Sequence, residues 1–273
     1  MQAVVDLLSG TQVAVSLAGL ILLGVYESLH PFLDFYQQKK NKRTKHFARN
    51  LVLGVVNAIV IVTLFSGLWL WATVWANEHY FGLFNWIDSF ATNLPAWVRL
   101  IGVLLLFDLW MYLWHVINHK IPFFWRFHKV HHADPFMDVS TSTRFHIGEI
   151  VLSSAFRIGV LLLLGMHLWE LLVYEIIAIA VIQFHHANIQ IPQKVDRILR
   201  RVIVTPSIHK VHHSNWQPET DSNFGTIFTF WDGLFRTLRV RADFKNFSFG
   251  LEEYPPENEQ EVKDLFKMPF HKK

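Results

Sequence analysis

The sequence predicts an all-α integral membrane protein with about four to five transmembrane or re-entrant helices and a histidine-rich cap on their cytoplasmic side. Three observations predict it. Of 273 residues 52% are hydrophobic, with 24 Phe and 11 Trp, an unusual load for a soluble fold. Apolar runs of bilayer length recur as far as about residue 190, where roughly 20 such residues cross a ~30 Å hydrocarbon layer as a helix. The histidines, sixteen in all, are concentrated in short clusters that lie at the ends of those runs.

In chain order, residues 11–30 form the first span. No basic residue precedes this apolar run and no clear cleavage site follows it, so it reads as a retained anchor. Residues 51–76 form the second span and residues 95–117, beginning at Pro95, the third. Residues 149–190 hold two shorter apolar runs hinged near Gly165-Met166-His167, which predicts a helical hairpin that either spans or dips in and returns. Basic residues set the orientation. The stretch from Lys39 to Lys45 is rich in Lys and Arg, whereas Asn77 to Asn93 carries Glu78 and Asp88 and neither Lys nor Arg. The first loop, residues 119–147 and the tail from Ile191 are therefore expected on the cytoplasmic side. Three segments follow: anchor helices over 1–97, a histidine-bearing unit over 98–240 and a cytoplasmic tail over 241–273. The last twenty residues read as an ordinary surface terminus.

Composition narrows the chemistry. Cysteine is absent, so disulfides, thiolate metal sites and cysteine nucleophiles are excluded, and a metal must be held by nitrogen or oxygen. A net charge of +3, scattered between apolar runs, fits contact with a lipid bilayer and gives no basic stripe for nucleic acid.

Three clusters, His115-x3-His119, His128-x2-His131-His132 and His209-x2-His212-His213, place eight histidines in fifteen residues. On a helix, positions four apart share a face, so His115 and His119 can approach one ion together. Each H-x-x-H-H can supply two or three imidazoles, divided between adjacent ions. His185 and His186, at the returning end of the hairpin, form a fourth source. Packing so many imidazoles together without a cation would leave buried donors and acceptors unsatisfied. Their number exceeds the four positions of a structural zinc site and points to two ions. Imidazole suits Zn, Cu, Fe and Ni alike. The H-E-x-x-H string of a hydrolytic zinc enzyme is absent, which favours a redox-capable binuclear site.

The pieces HVINH (115–119), HKVHH (128–132), STSTRFHIGE (140–149), FHHAN (184–188), TPSIHKVHH (205–213), NFG (223–225) and WDGLFRT (231–237) resemble, in this order, the fatty acid hydroxylase or sterol desaturase superfamily. These are membrane di-iron oxygenases, and the likeness covers about residues 98–240. It implies a non-haem oxidoreductase that hydroxylates or desaturates a lipid substrate (sterol, fatty acyl or related) with two iron ions and O2. Zinc can take the place of iron in a purified sample. The resemblance carries the ligand role to His115, His119, His128, His131, His132, His209, His212 and His213, with His186 as a ninth. His185 is the neighbouring candidate, and His146 is open between ligand, ligand support and channel wall. Arg236 stands where relatives often carry glycine. A separate electron donor (reductase, ferredoxin or cytochrome) is implied as partner, since the chain shows neither a flavin fingerprint nor cysteine ligands for an iron–sulfur cluster.

Spacing suggests which groups orient the imidazoles. Asp108, Tyr112, His115 and His119 share one stripe of the third helix, and Glu175 precedes His186 by eleven residues on about one face. For either carboxylate the competing reading is an intramembrane pair with an arginine such as Arg157. Asp221, Asn223 and Asp232 follow the last cluster as further candidates. The rival function is a divalent metal-binding or transport membrane protein. Transport sites, however, are expected near the bilayer midplane on broken helices, whereas these histidines fall at helix ends.

Overall fold

The computed structural model describes residues 2–35, 40–91, 95–244, 247–254 and 260–271. Lys39 of the basic run, Asn93 of the loop before the third span, and residues 255–259 and 272–273 of the tail lie outside the described residues. The apolar runs become helices: α1 (Gln2–Leu29), α2 (Lys40–Val60) and α3 (Ser66–Glu78), the last two joined by one π turn, Ile61–Phe65. In that turn the hydroxyls of Thr63 and Ser66 donate to the carbonyls of Ile59 and Val62, both at 2.7 Å, a competition that loosens the helical ladder. A short α4 (Leu83–Phe90) leads to α5 (Ala96–Lys120) and then α6 (Pro122–His132). The two separate at Ile121, which is extended because the following Pro122 disfavours a helical conformation there.

A 3-10 turn (Val139–Thr143), capped by Asp138, precedes the hairpin of α7 (Ile147–Leu164) and α8 (Leu168–His186). Its hinge is the predicted one: Gly165 takes the left-handed conformation (φ 67°) that closes a helix most cheaply without a side chain. The remainder is made of short helices: α9 (Gln193–Leu199), α10 (Pro206–His212), α11 (Gln217–Thr220), α12 (Phe230–Leu234) and α13 (Val262–Lys267). Strands are absent among the described residues; only isolated bridges occur, such as Pro31 with Ile189.

Five stretches are long and apolar enough to cross a membrane: Ala3–Leu29, Lys42–Phe90, Ala96–Lys120, Ile147–Leu164 and Leu168–His186. Helices α3, α5, α7 and α8 enclose the main core, with Trp69, Phe107, Leu161, Leu171 and Tyr174 buried. At the end away from the histidines, Arg99 donates to Glu170 (2.7 Å) and to the Gly165 carbonyl (2.7 Å), and pairs with Asp88. Midway along the helices, Arg157 pairs with Glu175, whose second oxygen accepts from Gln12 at 2.7 Å.

Two expectations need correction. The last twenty residues are not a plain surface terminus: Leu265 and Met268 are buried against Leu53, Val130 and Ala133. A six-residue helix is too short for its apolar face to register as periodicity in the sequence. Likewise, the tail from Ile191, expected on the cytoplasmic side, does not stay at the helix ends, because its later part runs down the side of α5 as far as Asp108.

Candidate metal centre

Four helix ends converge. The last turn of α5 brings His115 and His119, α6 and α10 bring the two H-K-V-H-H clusters, and the last turn of α8 brings His186. The rings sort into two adjacent groups, within each of which every member offers a nitrogen no more than 4.8 Å from the others. The first group is His115, His119, His128, His132 and His212; the second is His131, His186, His209 and His213. Each H-K-V-H-H cluster sends its i, i+4 pair to one group and its i+3 histidine to the other.

These residues fit a pair of metal ions. Several buried ring nitrogens have no hydrogen-bond partner, among them Nε2 of His119 and His128, both nitrogens of His132, and Nδ1 of His209 and His213. Elsewhere ring nitrogens face one another: Nε2 of His212 lies 3.0 Å from that of His115, and Nε2 of His186 lies 3.1 Å from His131 and 3.0 Å from His209. Such convergence suits a shared cation and is costly without one. Burial, reinforced by neighbouring imidazoles, holds His131, His132, His209 and His213 well below the usual imidazole range. Burial lowers His212 to about 3. These rings are therefore neutral at pH 7, the state in which a lone pair is available to a metal.

Most supports behind the rings differ from the predicted ones, with Asp221 beside His119 as an exception. His128 Nδ1 donates to Glu149 Oε1 at 2.9 Å, so the carboxylate that fixes this tautomer is the glutamate of STSTRFHIGE, which is not among the expected supports. Backbone carbonyls hold most of the others. His115 Nδ1 donates to Phe224 O (2.9 Å), His212 to Ser222 O (2.7 Å), His131 to Arg144 O (3.2 Å) and His186 to Ile182 O (2.7 Å). His119 Nδ1 stands 3.5 Å from Asp221 Oδ1.

Asp108 touches no histidine. It accepts from Tyr174 OH (2.8 Å), from the Ile227 and Phe228 amides (both 3.2 Å) and from Trp231 Nε1 (3.0 Å). Glu175 is likewise away from the rings, in its pair with Arg157. Asn223 and Asp232 act on the strap that carries the accepting carbonyls. Asn223, at φ 56°, bonds Ile208 O (3.0 Å) and Arg239 N (2.7 Å), and Asp232 accepts from Phe224 N (2.7 Å) and Gly225 N (2.9 Å). Arg236 takes a left-handed conformation (φ 61°), one that glycine adopts freely.

His185 lies outside both groups but stacks on His209, with centroids 3.9 Å apart. His146 lies outside them as well: it caps α7 by accepting from Gly148 N (2.9 Å), contacts Phe266 O (3.2 Å) and stacks on Phe127. A cavity of about 100 Å³ opens over the rings, walled by Met111, Trp114, Phe145 and Ile182 on its apolar side.

A helical membrane fold with a mostly buried polyhistidine cluster defines a class of integral-membrane protein whose imidazoles could hold metal ions. The comparisons narrow it. The family model for fatty acid hydroxylase matches residues 100–237, and the chain belongs to that family. Human cholesterol 25-hydroxylase (Homo sapiens) is 30% identical over 51% of this chain and 50% of its own length. Ornithine lipid hydroxylase OlsE of Rhizobium tropici is 25% identical over 82% of this chain and 66% of its own, and alkylglycerol monooxygenase of Danio rerio is 26% identical over 62% and 35%. The chain thus spans about half the length of the first of these relatives. No solved structure matches it. The matched family and these relatives carry the names of hydroxylases and a monooxygenase.

Proposed function

We propose that the protein is a di-iron oxygenase that uses O2 and external electrons to hydroxylate or desaturate a membrane lipid. The observation that carries this reading is the division of nine imidazoles, eight buried and that of His115 half-buried, into groups of five and four beneath an apolar cavity. His115, His119, His128, His132 and His212 would hold one ion and His131, His186, His209 and His213 the other. Bound there, iron supplies the redox chemistry that lets O2 attack an unactivated C–H bond. The chain's own residues bind, orient and exclude. Glu149 and the carbonyls of Phe224, Ser222, Arg144 and Ile182 hold the ring tautomers. Met111, Trp114, Phe145 and Ile182 keep water from the cavity and place one carbon of an apolar chain beside the rings.

The printed activities of the relatives, on cholesterol, ornithine lipid and alkylglycerol, support a lipid substrate. Electrons come from a separate reductase, ferredoxin or cytochrome docking at the histidine end. The basic run before residue 46 favours the cytoplasmic side for that end. The test is metal analysis of protein purified without added metal, coupled to lipid profiling of cells with and without the chain. Two irons and a new oxygenated lipid are expected; a single zinc and an unchanged lipid profile would sink the reading.

A further inference from the structure

The strap between Phe224 and Arg239 begins at the metal centre, where the Phe224 ring packs 5.0 Å from His119. It then descends along α5 until the Ile227 and Phe228 amides and Trp231 Nε1 reach the Asp108 carboxylate. Asp108 lies twelve residues before the last residue of α5, about 18 Å down the axis at 1.5 Å per residue. The chain climbs back past Tyr112, on which Phe235 stacks (5.2 Å) and whose hydroxyl meets Thr237 Oγ1 at 2.8 Å. Arg239 N closes the excursion on Asn223 Oδ1 at 2.7 Å.

We propose that Phe224–Arg239 is a re-entrant membrane loop whose outer face contacts the acyl chains of the leaflet beside the metal centre. Irregular backbone at that depth requires its amides to be satisfied from within the protein. Here they are. Asp232 accepts from Phe224 N and Gly225 N, Asp108 from Ile227 N and Phe228 N, and Val202 O from Thr229 N at 3.0 Å. These two carboxylates therefore serve the loop amides and touch no imidazole.

The outer face is apolar, with Leu234 66%, Phe235 47% and Leu238 43% exposed. Through the Ile203–Phe228 bridge it continues onto the α9 segment, where Val195, Ile198 and Val202 form an exposed stripe at steps of three and four. One residue earlier at each step stand exposed Lys194, Arg197 and Arg201. An apolar stripe beside a basic one suits an anionic lipid surface, with headgroups meeting the cations and acyl chains the apolar side. A protein partner is disfavoured because the apolar face descends to the midpoint of a spanning helix, where hydrocarbon is its neighbour. Arg236, exposed on the ascending limb, has a stem long enough to carry its charge up to the headgroups.

The chain has no cysteine, so single reporters can be placed cleanly. Full-length protein carrying Leu234→Cys, Phe235→Cys or Ile198→Cys would be nitroxide-labelled in phosphatidylcholine vesicles containing phosphatidylglycerol. The expected result is strong relaxation by O2 and loss of relaxation by a water-soluble nickel chelate, as at the spanning-helix reference Val62→Cys. Ala242→Cys, on the exposed polar surface, should show the reverse. Nickel relaxation at all three test positions equal to that at Ala242→Cys would overturn the proposal. A second measurement avoids substitution: a bilayer-confined carbene reagent should tag residues 224–239 of the native chain and spare 247–254. A loop left untagged would overturn the proposal just as firmly. Neither readout depends on which metal the histidines hold or on turnover.

Discussion

Helices α6 and α10 carry the same H-K-V-H-H string, bury both valines fully, and present their histidines at the same helical steps. They differ in company. The pair His128 and His132 of α6 joins the two histidines of α5 and is backed by the Glu149 carboxylate. The pair His209 and His213 of α10 joins His186, and the members of that group whose Nδ1 is engaged rest on backbone carbonyls. Their i+3 histidines cross over, His131 to the group of four and His212 to the group of five. Identical strings thus build unequal halves, because what a histidine joins is decided by the elements packed against its helix and not by its own neighbours in sequence.

The crossing makes the largest prediction. His131→Ala and His209→Ala, on different helices, should empty the same ion site, whereas His128→Ala and His212→Ala should empty the other; turnover should be abolished in all four. Metal stoichiometry with a spectroscopic signature for each site reads this out. If His131→Ala and His128→Ala instead lost the same ion, the crossed assignment would be wrong.

Next in size is the carboxylate asymmetry. Glu149→Ala should weaken metal binding at the five-histidine site by roughly 10–100-fold, the usual effect of losing an outer partner of a ligating histidine. Glu149→Gln, whose amide oxygen still accepts from His128 Nδ1, should restore most of that affinity, and the four-histidine site should be untouched by either change. Equal weakening at both sites in a metal titration would remove the distinction between them.

The smallest effect concerns the lysines inside the two strings. Lys210 is buried, donates to Ala187 O (3.0 Å) and Ile189 O (3.4 Å), and lies over the Phe32 ring, so it ties α10 to the end of α8. Lys129 is 3.8 Å from Glu253 and lies over the Tyr254 ring. Lys210→Met should cost about 1–3 kcal/mol by leaving buried carbonyls unpaired, and Lys129→Met less than that, because Lys129, though also buried, makes only a long 3.8 Å approach to the exposed Glu253. Denaturant midpoints of the two variants in detergent compare them directly, and equal losses would show that the two lysines serve alike.

Much of this was readable in advance. The spans were, because bilayer-length apolar runs and the Gly165 hinge are local signals, and so was the identity of the clustered histidines, because metal chemistry restricts residue type and spacing. Glu149 was harder: a carboxylate at the start of a helix has an ordinary reading as a favourable charge there, and only the approach of α6 to α7 gives it a ring to hold. Asp108 shows the opposite failure, while Glu175 follows its competing reading as an intramembrane pair with Arg157. Their spacing to histidines along a helix was right, but closer partners took them, the loop amides and Tyr174 in one case and Arg157 with Gln12 in the other.

By itself, the sequence determined that this chain carries apolar helices of membrane-crossing length, roughly where they lie, and which imidazoles are available at their ends. Those properties follow from hydropathy, helical period and donor chemistry, all short-range along the chain. Only the tertiary structure decided which histidines come within reach of one another, which groups hold their tautomers, that the last helix docks on the histidine end, and that the strap after the second cluster descends along α5. Most of these depend on contacts between residues distant in sequence, such as His128 with Glu149 or Asp108 with Trp231. Their geometry is set by how helices pack against one another, and a local pattern carries no record of it.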